Sequence, residues 1–376
     1  MANYIELIKH PQINHELFFK ILSDFRKGGL NPDIWNDFIA VVRKFEKNEG
    51  GEELFQQFKL VDISQEDFIA VHRELGKRSI EKNKKCWHPE ASNSTCEVVS
   101  AAHSIQNNGV LSQIAENGHV MTIDFKEGLL TGSKPIGKKF ASIFWGFCNK
   151  HDAIFRPIEV EPYTGSDIQN FLFAYRAFVV SSHKKCETSA LINFGEQSDI
   201  DTEENINIFN DSILSSNYKR IKTHHYELPL FYPTAVSSSF YLDFDFNGNK
   251  INHSDDRMEY LFFTVFPERN NKTHILISYF EDDEHLYKDL AKQITDRNNL
   301  KYDISILIAG HCENVYYNPA YYNAFIQRIE LDLLEVLKKT QYDIALLNNE
   351  REVLDTDSLT PHDYLNNPWR INVFGY

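Results

Sequence analysis

Apolar residues recur at helical spacing through the first part of the chain: Leu17, Phe18, Ile21, Leu22 and Phe25, then Trp35, Phe38, Ile39, Val42 and Phe45. That three-and-four rhythm predicts amphipathic helices, and Gly28-Gly29 and Gly50-Gly51 punctuate them. Ser64-Gln65-Glu66-Asp67 opens a third helix with a serine in the cap position and an acidic first turn, continuing through Phe68, Val71 and Leu75. Residues 1–85 are therefore expected to form a helical N-terminal region.

Beyond it the rhythm breaks. Residues 86–165 read as loops with short strands at Val98-Val99 and Val120-Met121-Thr122-Ile123, and a short helix beginning near Cys148. Turns are signalled at Asn107-Asn108-Gly109, Glu127-Gly128 and Gly132-Ser133-Lys134-Pro135. From Asp167 to about Lys184, the residues Phe171, Phe173, Ala174, Ala177 and Val180 predict a long buried helix, followed by polar helical material to Lys222. That makes 166–225 a helical connector. The period then changes. Phe240 to Phe246 alternates apolar with acidic residues, and Tyr260–Phe266 and His274–Phe280 predict two strands joined across Pro267 to Lys272. Helices are expected at about 284–297 and 320–339. Residues 226–376 thus form an α+β C-terminal domain, and α+β is the expected fold class of the whole chain.

Composition narrows the reading. The apolar share of 42% is enough for real cores, and there is no run of eighteen apolar residues to suggest a membrane span. Met1-Ala2-Asn3-Tyr4-Ile5-Glu6-Leu7 has neither a basic nor an apolar leader region. Five cysteines, an odd number, fit reduced thiols in a cytoplasmic protein better than a disulfide framework. The net charge of −15 is uneven: Lys+Arg against Asp+Glu run 8 to 12 over residues 1–70, 12 to 8 over 71–156 and 19 to 34 over 157–376. Only the middle stretch is basic. Lys82, Lys84, Lys85, Lys138, Lys139 and Lys150 are its candidate phosphate contacts. The acidic C-terminal part is instead suited to a protein partner.

The same basic stretch gathers Cys86, His88, Cys96, His103, His119, Cys148 and His151, including three of the five cysteines. Thiolates and imidazoles at short spacing point to a bound metal, and this donor mix favours Zn2+ in a structural role. The preferred ligands are Cys86, Cys96, Cys148 and His151, with His88 as rival to Cys96. Cys148-x-x-His151 at the mouth of a helix is a knuckle spacing, whereas Cys86 to Cys96 is wider than the usual interval. Asp152, next to His151, is either a carboxylate orienting the imidazole or an acid matched to a helix start. Asp243, Asp245, Asp255, Asp256 and Glu259 are a lesser candidate for a divalent ion, against the alternative of a solvent-facing strand. His224, His225 and His253 read as surface residues, and Cys186 and Cys312 as ordinary thiols. There is no Walker loop, dinucleotide fingerprint or nucleophile elbow.

Cys96, Ala102-His103-Ser104-Ile105 and Phe147-Cys148-Asn149-Lys150-His151-Asp152-Ala153-Ile154-Phe155 together resemble the zinc-knuckle form of the HNH endonucleases, a treble-clef-like unit. The stretch also resembles an uncharacterised bacterial set sharing Cys-x-His-Pro, Ala-His-Ser-Ile-Gln, Gly-His-Val and Phe-Cys-x-x-His-Asp, here Cys86–Pro89, Ala102–Gln106, Gly118–Val120 and Phe147–Asp152. The resemblance implies a nuclease, or a degenerate relative, acting on DNA or RNA with Mg2+ or Mn2+, in a setting such as anti-phage defence. It assigns His103 as general base and Cys96, Cys148 and His151 as knuckle ligands. Two positions depart from the family pattern. Ala102 stands where the family carries an acidic residue or histidine, with Asp152 or His119 as replacement ligands. Ser142 is the polar stand-in for the mid-motif asparagine. His103 then has a second reading, as a structural histidine on a backbone carbonyl. A zinc-stabilised scaffold binding a protein partner is the alternative to the nuclease.

Overall fold

The computed structural model describes residues 80–375 apart from 127–128, 189–195, 255, 269–270, 341–342, 348–349 and 355–358. The helices expected between Leu17 and Leu75 lie outside the described residues. In chain order the elements begin with β1 (Val99–His103), α1 (Val110–Ile114), β2 (His119–Lys126), β3 (Leu129–Gly137), β4 (Ile143–Cys148), α2 (Asn149–Asp152) and α3 (Arg156–Glu159). The long helices α4 (Asp167–Thr188) and α5 (Glu196–Ser215) follow, then β5 (Ile221–Leu228), β6 (Thr234–Phe240), β7 (Leu261–Glu268) and β8 (Lys272–Phe280). The last part holds α6 (Glu284–Tyr287), α7 (Leu290–Arg297), α8 (Leu300–His311), β9 (Val315–Tyr317), α9 (Pro319–Ala324), α10 (Glu330–Thr340), β10 (Asp343–Leu347), β11 (Glu350–Leu354) and α11 (Pro361–Asn366). Helix and sheet are mixed along the chain, as an α+β class requires.

A seven-stranded sheet in the order β3-β2-β9-β6-β7-β8-β5 organises one compact unit, residues 84–184, 196–341 and 356–376. Every pairing in it is antiparallel. The hairpin β10–β11 belongs to a second unit. The strands of residues 119–137, expected within a separate central unit, are in the same sheet as the C-terminal strands, and β5 begins inside the expected helical connector.

The middle strands β7 and β8 are buried almost from end to end, because helices cover both faces. Directly opposed residues share a face. Phe263 with Ile277 and Val265 with Ile275 point into a core that also holds Ile294 of α7, Ile304 and Ile308 of α8 and Val336 of α10. On the other face Phe262 and Phe280 meet Phe209 of α5, with ring centroids 5.1 and 4.8 Å away, and Phe178 of α4 stacks beside them. The result is a helix–sheet–helix sandwich.

Two local expectations change. Phe240–Phe246 is not a strand: β6 ends at Phe240, and the alternating stretch is a loop. Its apolar residues Leu242 and Phe246 plug the core. Asp245 folds the loop by accepting the backbone N–H groups of Asn247 and Asn249 at 2.9 and 2.8 Å, with Gly248 at φ +82° completing the turn. The true strand lies one step earlier, hidden in Ser237-Ser238-Ser239. The second change is α8, whose Ile304-Ser305-Ile306-Leu307-Ile308 is buried all round and carries no amphipathic period to announce a helix.

Candidate metal centre

The metal cluster is built by three pieces of backbone. Lys85 N–H and Trp87 N–H donate to the carbonyls of Trp145 and Gly146 at 3.3 and 3.0 Å, laying Cys86 alongside β4. The chain then doubles back: Ala91 N–H bonds His88 O at 2.9 Å, and Cys96 N–H bonds Ser92 O at 2.9 Å. The Thr95 hydroxyl closes the same loop onto Glu90 O at 2.6 Å. These turns return Cys96 to Cys86 and explain how so wide an interval still makes a ligand pair. The third piece is β4 running into α2. Cys148 is the residue before the helix, and one turn later His151 swings its ring back over it.

All four ligand atoms lie within 4.8 Å of one another. His151 Nδ1 is 3.4 Å from Cys86 Sγ, 3.5 Å from Cys96 Sγ and 3.3 Å from Cys148 Sγ. Bond lengths of about 2.3 Å to sulfur and about 2.0 Å to nitrogen give a sulfur–nitrogen edge of about 3.5 Å in a tetrahedral zinc site, so the donors fit a metal of that size. Burial pushes the Cys86 thiol up to about 11, with the neighbouring Cys148 and Cys96 adding to the rise. Burial opposes the Cys148 thiolate too, yet backbone N–H groups and the neighbouring thiols outweigh it and hold that group below its ordinary value.

His88 is not part of this tetrahedron. Its ring lies parallel to that of His151, centroids 4.4 Å apart and 2° between planes, and its Nδ1 accepts the Glu90 N–H at 3.2 Å. His88, Glu90 and His151 also fall within 4.8 Å of each other, but in-plane lone pairs on parallel rings do not converge on one ion.

The centre is fastened to α4. Trp87 Nε1–H donates to His183 Nδ1 at 3.2 Å, and the Tyr175 hydroxyl donates to Trp87 O at 3.1 Å. Phe147, Phe155 and Tyr175 pack as a ring cluster behind Cys148. Arg176 lies 4.1 Å over the Phe155 ring and pairs with Glu159 at 2.5 Å.

β1 and β4 form the antiparallel ribbon between the two halves of the cluster, with His103 opposite Ile143 at its far end. The step from Ser100 to Ala102 faces the longer step from Phe147 to Phe144, a bulge that keeps Phe144 and Phe147 on the inner side. His103 is half-buried, and its Nδ1 lies 3.0 Å from Ala141 O. With a carbonyl as partner that nitrogen carries the proton, which leaves Nε2 as the basic atom. Burial holds the imidazole below its ordinary value, the Ala141 contact opposing and the Arg176 charge adding to the effect. Burial also raises the Asp152 carboxyl, with Arg176 working against it. Among the described residues neither His103 nor Asp152 belongs to a group of three or more His, Cys, Asp or Glu at ligating distance.

Other expected site residues are used differently. Lys84 and Lys85 lay their ammonium groups over Trp145 and Trp87, at 4.1 and 3.5 Å from the ring centroids, and Lys138 donates to Ser112 Oγ at 2.6 Å. Lys139 and Lys150 are exposed. His119 Nδ1 sits 3.0 Å from Asn117 O, away from the cluster. Asp245 also takes the side-chain amides of Asn249 and Gln293, so its oxygens are committed to the loop. His253 and His225 are not idle surface groups: His253 bridges Glu259 and Leu242 O, each at 2.9 Å, and His225 meets His274 at 2.9 Å.

No family model, curated protein or solved structure matches this chain. No helix among the described residues is long and apolar enough to cross a membrane.

Proposed function

We propose that the chain binds one structural zinc ion through Cys86, Cys96, Cys148 and His151, in an HNH-like unit directed at DNA or RNA. The observation that supports this most is the four-donor cluster, with sulfur–nitrogen separations of 3.3–3.5 Å, at the base of a ribbon that leads straight into a helix. Zinc there neutralises the thiolates and closes a loop-rich segment.

In this reading His103 is the general base. Its Nδ1–H is tied to Ala141 O, its Nε2 is the proton acceptor, and burial keeps the ring neutral, as abstraction of a proton from water requires. Exposed Lys139 and Lys150 supply phosphate contacts on the same unit. His103 and Asp152 do not make a fitting Mg2+ or Mn2+ site among the described residues, and no step is assigned to such an ion. That same observation favours the second reading, a zinc-held scaffold that binds without cleaving.

The deciding experiment is a cleavage assay on DNA and RNA, with and without added Mg2+ or Mn2+, on wild type and His103→Ala matched for zinc content. Cleavage lost by about 10²–10⁴-fold in the variant supports the nuclease. No cleavage by wild type, or full activity in the variant, overturns it.

A further inference from the structure

We propose that Tyr316 is a positioning residue for His103, acting through the single peptide group that joins Ala141 to Ser142. This rests on the reading of His103 as the working base, and it concerns what sets that base.

The C=O of Ala141 and the N–H of Ser142 belong to one planar amide. At one end the carbonyl oxygen lies 3.0 Å from His103 Nδ1. At the other, the Ser142 N–H donates to the Tyr316 hydroxyl at 2.7 Å. The amide cannot turn for one partner without leaving the other. Tyr316 thereby fixes the direction of the carbonyl that fixes the imidazole. Hydrogen bonds in series across an amide also polarise one another, so the tyrosine strengthens the hold as well as aiming it.

The surroundings make this arrangement rigid. Tyr316 is nearly buried in β9, the strand between β2 and β6. Ser142 adopts φ +57°, a left-handed conformation that a serine holds only when its neighbours impose it. They do. Ser142 O accepts Ser104 N–H at 2.8 Å, and Ser142 Oγ–H donates to Ile105 O at 3.0 Å. Asn314, just before β9, donates to Ser104 Oγ at 2.9 Å and to Ser237 O at 2.9 Å. The residues after His103 and the turn that carries its partner carbonyl are thus held by one sheet strand far away in sequence. Ser142, the stand-in for the mid-motif asparagine, contributes through its main chain and its hydroxyl bonds to Ile105, and not as a ligand.

The test is nitrogen-15 NMR of the histidine rings in the full chain, with His103 assigned by loss of its signals in His103→Gln. Wild type is expected to show His103 in a single neutral tautomer, protonated on Nδ1. Tyr316→Phe removes only the acceptor oxygen. It is expected to leave the zinc content and the other histidine signals in place while His103 becomes a mixture of tautomers with a lower titration midpoint. Tyr321→Phe removes a hydroxyl that donates to Val373 O, outside this network, and is expected to retain the wild-type His103 signature. An Nε2-protonated His103 in wild type overturns the proposal whether or not the variant folds. So does a Tyr316→Phe spectrum identical to wild type at His103, or an equal disturbance from Tyr321→Phe. Absence of cleavage by wild type, by contrast, refutes the base reading and leaves the tautomer result standing.

Discussion

His253 holds Glu259 and the main chain of Leu242 at once: Nδ1 is 2.9 Å from a Glu259 carboxylate oxygen and Nε2 is 2.9 Å from Leu242 O. Glu259 is buried, its contact with the half-buried His253 ties the two ends of the loop between β6 and β7 together, and Ser254 N–H adds a further bond to Glu259. Replacing Glu259 with alanine removes the side chain that contacts both His253 and the Ser254 N–H. The expected loss is about 1–3 kcal/mol, measured by urea denaturation; no measurable change would mean that this contact does not hold the loop.

Phe209 is the hub of the second face of the sheet, meeting Phe171, Tyr175, Phe178, Phe262 and Phe280. Phe209→Ala should cost about 3–5 kcal/mol, because a cavity opens where rings from both long helices and two strands converge. Phe209→Leu should cost less. Equal losses for the two variants, read from the same denaturation curves, would contradict a packing role.

His311 stacks on Phe240 with centroids 4.8 Å apart, and burial lowers its pKa from 6.5 to about 4. The sign follows from linkage: the unfolded chain takes up the proton first, so the stability of the neutral native form is complete above pH 6.5. It is lost progressively as pH falls from 6.5 to about 4. Up to about 3 kcal/mol depends on this one group. His311→Gln is expected to flatten the stability profile in that window, measured by chemical denaturation at several pH values; an unchanged slope would assign the acid sensitivity elsewhere.

What the sequence reveals follows the range of the interactions. Cys148 and His151 are one helical turn apart, so their spacing alone announces them. Cys86 and Cys96 are a harder pair, since only the tight turns from His88 to Cys96 bring them together. Strands β7 and β8 were legible from their apolar runs, but β6 was not. Its serine run takes partners that only the folded sheet supplies, such as Asn314 on the main-chain carbonyl of Ser237. The Phe–acid alternation after Tyr241 imitates a strand, and the difference lies in Asp245 bonding its own backbone, a competition that periodicity cannot register. The Tyr316–Ser142 bond spans 174 residues and leaves no mark in either local sequence.

Cys148 is fully buried and is the sulfur nearest His151. Cys148→Ser should therefore abolish stoichiometric metal and loosen the ribbon β1–β4, while Cys312→Ser, a substitution in the distant sheet core, should leave metal content unchanged. Elemental analysis of the purified variants checks both halves; metal retained in Cys148→Ser would remove that residue from the ligand set.

The most direct test of the account is zinc-edge X-ray absorption on protein purified without chelator. It should show one zinc per chain with three sulfur neighbours at about 2.3 Å and one nitrogen at about 2.0 Å. A protein without zinc, or a zinc shell dominated by oxygen and nitrogen, would contradict the Cys86, Cys96, Cys148 and His151 assignment.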